Sequence, residues 1–249
     1  MKTFLKKAVC ALCPGWVLLP TRFRNGVVVK GENRPGHGGR GLFLFGEALE
    51  EELDVLEQFL PESGVLIDVG ANVGAFSLKA AKSVGPKGLV VSVEPFPRMA
   101  DRLQRNCMEN ELDNVRIRVC CASDTVGFAQ FWLIRDTPNA FSLIEHPGAR
   151  SFNTLTVTID WLAENEKLER LDYLKIDAEG AEDMILNGAR STIERHRPLI
   201  QVEINKKKPE AIPGDYRVWQ SPPKVNQLLI PRESPYNETA KALGWTEVA

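Results

Sequence analysis

The order of apolar segments along the chain predicts an α/β fold, with a mostly parallel β-sheet and helices on both of its faces. Continuous apolar runs at Val65–Val69, Leu89–Val93 and Tyr173–Ile176 are typical of strands that are buried on both faces. Stretches with helical periodicity separate these runs, so crossover connections must join the strands. A length of 249 residues and a charged fraction of 26% fit one ordinary domain of this class.

The remaining elements follow from local patterns. Residues 47–60 place leucines near the 3.6-residue period, which predicts an amphipathic helix. Further helices are predicted over 75–83, 98–109, 160–168 with Asp160 as the cap, and 181–196, and further strands over 115–121, 128–134, 154–159, 199–204, 216–219 and 227–230. We expect 128–134 and 154–159 to form a hairpin or insert, and the last two strands to form a hairpin at the sheet edge.

The first 45 residues differ from the rest in charge and are predicted to form a basic appendage, followed by one domain over residues 46–249. Residues 1–40 hold eight basic side chains and one acidic side chain, although the whole chain has a formal charge of −2. Such a segment contacts an anionic partner or a peripheral membrane surface, or it is a solvated extension. Because the net charge of the whole chain is close to zero, nucleic acid is not expected as a partner.

Targeting and redox signals indicate a cytoplasmic protein. The uncharged run over residues 8–20 is too short to span a bilayer, which needs about 20 apolar residues, and no small-residue cleavage site follows it. The five cysteines are odd in number and irregularly spaced, unlike a disulfide framework. Cys10 and Cys13 form a C-x-x-C pair without two further ligands, so no zinc site is predicted.

The residues that follow the first buried strand carry the most informative chemical pattern. Asp68 is followed by Gly70 and Gly74 in a G-x-x-x-G turn. The helix that starts near Gly74 is expected to point free N–H groups and its positive dipole end at a ligand. The spacing is not the G-x-G-x-x-G of dinucleotide-binding proteins, and an acid here would repel a pyrophosphate but attract an ammonium group. An ordinary strand-to-helix turn is the alternative interpretation.

A second acid follows the next buried strand. Glu94 lies 26 residues after Asp68, at the position from which a carboxylate accepts hydrogen bonds from both ribose hydroxyls of an adenosine cofactor. Because the carboxyl ends of neighbouring parallel strands adjoin, the two acids and the glycine turn are expected to share one ligand site. The pattern favours S-adenosylmethionine, which carries an ammonium, a carboxylate and a sulfonium group but no phosphate.

With these motifs in place, the sequence resembles the FkbM-type methyltransferases, a branch of the class I S-adenosylmethionine-dependent enzymes. The resemblance rests on IDVGANVGAFSL at 67–78, VEPFP at 93–97, Ala122 to Asp124, YLKIDAEGAE at 173–182, the pair Gly188 and Ala189, and PLIQVEIN at 198–205. It implies a Rossmann-like, seven-stranded, mostly parallel sheet with an antiparallel last strand. It also implies O-methylation of a hydroxyl on a sugar or a polyketide-like natural product, with S-adenosylmethionine as cofactor.

The resemblance also implies positions for the cofactor. Asp68, Gly70, Ala71 and Asn72 would line its methionine end with Gly74 in the same turn, Glu94 would hold the ribose, and Ala122 and Ser123 would border the adenine. Two regions depart from the family pattern. The first 45 residues match nothing in it, and the connection between 205 and 216 is too short and too rich in proline for the usual helix. The acceptor is therefore not identified.

Removal of a proton from the acceptor requires a base, and with three histidines in the chain the candidates are carboxylates at strand ends. Asp177 comes first, as the base or as a group that orients the acceptor, and a contact to the cofactor ammonium is its alternative role. Glu179 is either a base or the cap of the following helix, and Glu203 is the third candidate. A divalent cation such as Mg²⁺ on Asp177 and a neighbouring acid fits the preference of hard cations for oxygen, but nothing in the spacing requires it.

Two other functions stay open at this point. One is an NAD-dependent oxidoreductase on the same fold, because a fold alone does not determine chemistry. The missing third glycine and the acid at Asp68 argue against it. The other is a catalytically degenerate binding module that uses its basic segment to recruit a partner. The intact acids and glycines argue against that loss of activity.

Overall fold

The computed structural model describes residues 3–35, 38–49, 51–133, 141–142, 147–178, 180–203, 210–221 and 226–248. The helices are α1 (Thr3–Leu12), α2 (Arg40–Phe45), α3 (Glu51–Val55), α4 (Ala75–Val84), α5 (Pro97–Glu109), α6 (Ile159–Asn165), α7 (Glu182–Asn187), α8 (Arg190–His196) and α9 (Tyr236–Ala242). The strands are β1 (Leu18–Arg22), β2 (Val28–Glu32), β3 (Val65–Val69), β4 (Leu89–Val93), β5 (Val115–Arg118), β6 (Cys121–Ala122), β7 (Gly127–Leu133), β8 (Phe141–Ser142), β9 (Arg150–Val157), β10 (Tyr173–Ile176), β11 (Leu199–Glu203), β12 (Tyr216–Gln220), β13 (Asn226–Pro231) and β14 (Thr246–Val248).

The central sheet has the strand order β14-β12-β13-β11-β10-β3-β4-β5. β11, β10, β3, β4 and β5 run parallel, whereas β13 is antiparallel to both of its neighbours and β14 is antiparallel to β12. The predicted α/β class and the reversed strand are confirmed. The sheet has eight strands rather than seven, and β14 occupies the edge beside the predicted β12–β13 hairpin. A three-residue strand with a glutamate at its centre carries too weak a pattern for prediction.

Apolar clusters cover both faces of this sheet, which explains why its strands are continuously hydrophobic. Leu66 and Tyr173 pack with α4 and α5 on one face. Ile67 and Leu174, the next residue of each strand, pack with α6, α7 and α8 on the other. Full burial of one such aliphatic side chain contributes about 1.5–3 kcal/mol.

Two predicted helices are interrupted. Residues 47–60 form a 3₁₀ turn at Gly46–Leu49, then α3, then a second 3₁₀ turn at Leu56–Gln58. Glu47 there points inward to Lys79, a tertiary contact that the leucine periodicity does not reveal. The predicted helix 181–196 is divided into α7 and α8 at Gly188, where a Cβ atom would lie 2.2 Å from the Ser123 carbonyl oxygen. Close packing against another loop breaks this helix.

Asp160 does not cap its own helix. Thr158 is the N-cap of α6, and its hydroxyl accepts a hydrogen bond from the Trp161 amide at 2.9 Å. The Asp160 carboxylate instead accepts the amides of Ser191 at 3.2 Å and Thr192 at 2.7 Å, at the start of α8. It therefore ties α6 to α8, a non-local role that a local capping pattern does not predict.

The predicted strand 115–121 belongs to two sheets. β5 ends at Arg118, and Cys121 begins β6 in a second sheet with the order β6-β9-β7-β8. β7 and β9 pair antiparallel along their whole shared length, so the predicted hairpin is confirmed. Ile134, at its predicted end, lies outside the described residues.

The N-terminal hairpin β1–β2 is joined to the domain by asparagine side chains of α5. The amides of Val28 and Lys30 donate to the side-chain oxygens of Asn110 at 2.7 Å and Asn106 at 3.2 Å. Asn106 also donates to the carbonyls of Lys30 at 3.0 Å and Val73 at 2.8 Å. Val29 of β2, with Phe23 and Val27 of the connecting turn, belongs to the same cluster as α4 and α5, whereas Leu19 of β1 packs with Cys10 of α1 and Phe43 of α2. The boundary at residue 45 stays a prediction, but residues 18–32 share the core of the domain.

Candidate cofactor site and active site

A cavity of about 370 Å³ opens at the carboxyl ends of the central strands. This is the edge at which parallel α/β sheets bind ligands. Most of the site residues predicted from the sequence line it together, namely Asp68, Gly70, Ala71, Asn72, Glu94, Ala122, Asp177 and Glu203.

Three predicted positions behave differently. Gly74 is the N-cap of α4 and is not among the residues that line the cavity. Its Cα packs against the Leu103 side chain of α5 instead. Ser123 is buried, and its amide donates to the Val157 carbonyl at 2.9 Å, so Cys121 borders the cavity beside Ala122 instead. Glu179 lies outside the described residues.

Gly70 brings the ends of β3 and β10 into contact. Its φ angle is +78°, and a Cβ atom on it would lie 2.0 Å from the Asp177 carbonyl oxygen. On the other side of the same contact, the Asp177 amide donates to the Val69 carbonyl at 3.2 Å. Only glycine accommodates both the left-handed backbone and this approach. The turn therefore places Asp68 and Asp177 at one site.

Backbone amides of this turn are hydrogen-bonded to backbone carbonyl groups of the protein. Gly70 and Ala71 both donate to the Val93 carbonyl, at 3.0 and 3.1 Å, and Gly74 donates to the Ala71 carbonyl at 2.8 Å. The prediction of free N–H groups concerned the start of the following helix, not these turn positions. The first turn of α4 has no side-chain cap, and Ala75 and Phe76 of that turn line the cavity.

Glu94 lies beside this turn with both carboxylate oxygens engaged. Its Oε2 accepts the Asn72 amide at 2.7 Å, and its Oε1 accepts the Phe96 amide at 2.9 Å. Burial raises the pKa of Glu94 to about 7 despite these hydrogen bonds, and the charges of Asp68 and Asp177 add to the increase. Each carboxylate oxygen accepts more than one hydrogen bond. Each of the two oxygens therefore retains capacity for a further hydrogen bond.

Lys175 is a site residue that the sequence pattern did not single out. Its Nζ lies 3.6 Å from Asp68 Oδ1 and 3.2 Å from Asp177 Oδ2. It also lies 5.5 Å from the centroid of the Phe76 ring. Lys175 is paired in register with Asp68 on the neighbouring strand. A lysine inside an apolar strand is costly to bury without acidic partners, and this was the signal available in the sequence.

Asp68 is completely buried beneath the cavity. Burial raises its pKa, which the charge of Lys175 and a hydrogen bond from the Ser77 hydroxyl oppose. Its Oδ1 has no hydrogen bond of ordinary length among the described residues, and the Lys175 ammonium group 3.6 Å away is its ion-pair partner. A ligand ammonium group would donate a closer hydrogen bond to this oxygen, so this residue fits the predicted cofactor.

The charged side chains that line the described part of the cavity are predominantly acidic. The four acids are Asp68, Glu94, Asp177 and Glu203, and the two bases are Arg34 and Lys175. An acidic cavity attracts a ligand with positive ammonium and sulfonium groups and repels a diphosphate. This balance favours S-adenosylmethionine over NAD.

Two walls of the cavity come from segments that the motifs did not predict. Arg34, Leu42 and Leu49 line it from the N-terminal side. Phe131 lines it from the insert sheet, next to Cys121. These residues lie far from the motifs in the sequence, and only chain folding brings them to the site.

The residues that the structure describes supply no ligand set for the divalent cation. No group of three or more His, Cys, Asp or Glu residues among those described lies close enough to hold a metal ion. The cation observed between Asp68 and Asp177 is the Lys175 ammonium group.

Sequence comparisons place this site in a family. The sequence model of the Methyltransferase FkbM domain matches residues 68–233, about two thirds of the chain. Methyltransferase sdnD of Sordaria araneosa is 28% identical over 173 residues, covering 57% of this chain and 65% of that protein. Methyltransferase 1 of Beauveria bassiana is 26% identical over 148 residues, covering 51% and 59%. The chain thus matches less than two thirds of the length of either relative.

Solved structures show more distant similarity. The FkbM methyltransferase of Methylobacillus flagellatus KT aligns with 76% of this chain and 53% of its own, at 18% identity and a TM-score of 0.48. A tRNA (uracil-54, C5)-methyltransferase of Pyrococcus abyssi, solved with S-adenosyl-L-homocysteine, aligns with 85% and 43%, at 13% identity and a TM-score of 0.46. Neither likeness carries an argument about activity. The family match starts at Asp68 and runs through the strands that form the cavity, and the chain therefore belongs to the FkbM methyltransferase family.

Proposed function

We propose that this protein transfers a methyl group from S-adenosylmethionine to a hydroxyl group of a small-molecule acceptor. The observation that carries the cofactor assignment is the pair of buried carboxylates, Asp68 and Glu94, that line one cavity at the carboxyl ends of β3 and β4. Membership of the family supports methyl transfer. The class of acceptor, a sugar or polyketide-like natural product, rests on the family resemblance alone.

The residues of the cavity would hold this cofactor at three points. Asp68 would accept a hydrogen bond from its ammonium group, and Glu94 would accept hydrogen bonds from its ribose hydroxyls. Ala122 leaves space for the adenine because its side chain is small. When bound, the cofactor would supply an electrophilic methyl group on its sulfonium, with the thioether sulfur as the leaving group.

Asp177 is the proposed base. It ends β10 at the cavity, and about a third of its side chain is exposed, at 35%. Lys175 donates to its Oδ2 at 3.2 Å, which leaves Oδ1 for the acceptor hydroxyl. Asp177 would accept the proton of the acceptor hydroxyl at this oxygen and would orient the acceptor oxygen toward the methyl group that the bound cofactor supplies. Glu203, at the end of the neighbouring strand, is the second candidate for this role.

Replacing Asp177 by asparagine is expected to lower kcat by about 100-fold or more, because general-base catalysis contributes about 10²–10⁴-fold. The affinity for S-adenosylhomocysteine should change less than about threefold, since Asp177 contacts the acceptor in this mechanism. Labelled methyl transfer to a panel of sugar and polyketide-like hydroxyl acceptors measures the rate. Glu203→Gln is the matched variant. If Glu203→Gln loses turnover while Asp177→Asn retains turnover, Asp177 is not the base.

Cofactor affinity is expected to fall by about tenfold between pH 8 and pH 6, because a group with a pKa of about 7 loses most of its charge over this range. Only ionised Glu94 accepts hydrogen bonds with both oxygens. The Glu94→Gln variant should bind more weakly and lose the pH dependence, whereas Asp113→Asn, a change at an exposed acid, should retain both. Calorimetric titration with S-adenosylhomocysteine at each pH measures the affinity of the parent and of both variants.

The Glu94 carboxyl group also makes folding stability depend on pH, but a rise in pH lowers stability whereas it raises cofactor affinity. The folded state holds the Glu94 proton up to about pH 7, whereas the unfolded chain releases it near the ordinary value of 4.5. The contribution of Glu94 to the free energy of unfolding therefore decreases as the pH rises from about 4.5 to 7.

A parallel titration with NAD tests the oxidoreductase alternative. NAD binding in the absence of S-adenosylhomocysteine binding would contradict the proposed function, as would cofactor binding without methyl transfer to any acceptor of the panel.

We also propose a reducing compartment, such as the cytoplasm, as the site of action. All five cysteines are free thiols, and four of them are buried. Burial raises the pKa of Cys107 and Cys121 to about 12, which keeps both protonated and unreactive at neutral pH.

A further inference from the structure

Exposed apolar side chains are concentrated at the N-terminal end of the chain. Phe4 and Leu12 are 84% exposed, Leu5 is 53%, Trp16 is 67% and Leu18 is 38%. These five residues form what we call the N-terminal apolar surface. They account for five of the fourteen exposed large hydrophobic residues in the described part of the chain. Contiguous exposed apolar surface is typical of interaction sites.

The orientation of α1 explains why this surface stays uncovered. One side of the helix packs on the domain, where Cys10 forms a small cluster with Leu19 and Phe43. Phe4 and Leu12 project from the opposite side, and Ala8 lies between them at the i, i+4 spacing. Leu5 borders the same side. The helix is thus attached by one face and presents an apolar stripe on the other.

The charges beside this surface are mainly basic. Trp16 and Leu18 border a depression whose three arginines outnumber its two acids, namely Arg98, Arg102 and Arg105 against Glu32 and Asp101. On α1, Lys7 is exposed, whereas the Lys6 ammonium group lies over the Phe43 ring on the attached side, 5.6 Å from its centroid. The sequence contains no acidic residue before Glu32. On β1 the burial pattern alternates so that Leu18 and Arg22 lie on the same exposed face. An occupant of this surface must therefore be apolar at its centre and negatively charged around it.

We propose that the N-terminal apolar surface docks this protein onto a lipid bilayer with anionic headgroups, with α1 lying in the interface. Apolar side chains on one face and lysines beside them are the properties of interfacial helices. Tryptophan is favoured at the level of the headgroups, which suits Trp16. A second copy of the chain is a poorer occupant, because a two-fold interface joins the same surface of both copies and would bring two basic surfaces together. The inference does not depend on the proposed activity.

Vesicle flotation with the full chain tests the proposal. We expect binding to phosphatidylcholine vesicles that contain about one third phosphatidylglycerol, and binding about tenfold weaker or less to pure phosphatidylcholine. Lys7→Ala should weaken binding about fivefold, since one basic residue near an anionic surface contributes about 1 kcal/mol. Phe4→Ser/Leu12→Ser/Trp16→Ser should reduce binding about 100-fold or more, because each side chain loses its apolar burial in the lipid.

Two controls separate membrane docking from a loss of structure. Phe128 is 82% exposed on β7, outside the N-terminal apolar surface, and Phe128→Ser should leave flotation unchanged. The triple variant changes exposed side chains only, so its thermal midpoint and S-adenosylhomocysteine affinity should match those of the parent. Anionic vesicles should also shift the tryptophan fluorescence to shorter wavelength, and Trp16→Phe should remove this shift while flotation persists.

Three outcomes would overturn the proposal. The first is absence of flotation with anionic vesicles, and the second is equal binding to neutral and anionic vesicles. The third is a dimer in solution that the triple variant dissociates, without vesicle binding by the parent. That last result would assign the surface to a second copy of the chain.

Discussion

Replacing Glu47 by alanine is expected to lower the free energy of unfolding by about 3–5 kcal/mol, because it leaves a buried lysine without its main partner. The Lys79 side chain is completely buried, and its Nζ is paired with Glu47 and, at 3.3 Å, with Glu57. The Glu47 carboxylate also accepts the amide of Arg24. One substitution therefore removes an ion pair and a hydrogen bond that join α4 to the N-terminal segment.

Chemical denaturation of three variants separates the buried charge from lost packing. Glu57→Gln should cost less than about 1 kcal/mol, because this side chain is 38% exposed and makes a partly solvated pair. Glu47→Ala combined with Lys79→Met should recover much of the lost stability, since the double variant has no unpaired buried charge. If the double variant is no more stable than Glu47→Ala, the unpaired lysine is not the cause.

The pH dependence of this pair also has a definite sign. Burial alone would raise the pKa of Glu47, but the hydrogen bonds and charges of Lys79 and Arg24 lower it below 4.5 overall. A carboxyl group with a lowered pKa stabilises the fold above its unfolded value. This stabilisation is lost as the pH falls below about 4.5, and Glu47→Ala should lose less stability on acidification than the parent.

Replacing Gly70 by alanine is expected to weaken S-adenosylhomocysteine binding by about 100-fold or more. The new Cβ atom would meet the Asp177 carbonyl oxygen at 2.0 Å, and backbone on both sides of this contact cannot move independently of the sheet. Separation of β3 from β10 at this point would displace Asp68, Lys175 and Asp177 together. Calorimetric titration measures the loss of affinity.

Gly26→Ala is the matched control for this substitution. Gly26 has a φ angle of +90°, but a Cβ atom there would have no heavy atom within 4 Å. It should therefore show only the cost of a left-handed alanine, about 1–2 kcal/mol in stability, with unchanged ligand affinity. Equal effects of the two substitutions on stability and on affinity would show that the close approach of Gly70 to Asp177 is unimportant.

Part of the site is predictable because its chemistry lies next to its secondary structure. Asp68, Glu94 and Asp177 each follow a run of buried residues, so strand ends and parallel topology place all three at one edge. Lys175 was harder to predict, since its role depends on a partner in a neighbouring strand. Ser123 was assigned from its place in a motif, but the path of β6 into a second sheet turns it away from the cavity.

The sequence by itself determined the α/β class, the order of the buried strands and the acids that meet at their ends. These features depend on residues close together in the chain, where apolar periodicity and turn chemistry act directly. Only the tertiary structure decided which distant segments complete the cavity, as Arg34 and Phe131 do, and which carboxylate Lys175 and Lys79 neutralise. Those choices depend on contacts between residues far apart in sequence, whose energies arise from burial and charge pairing after the chain has folded.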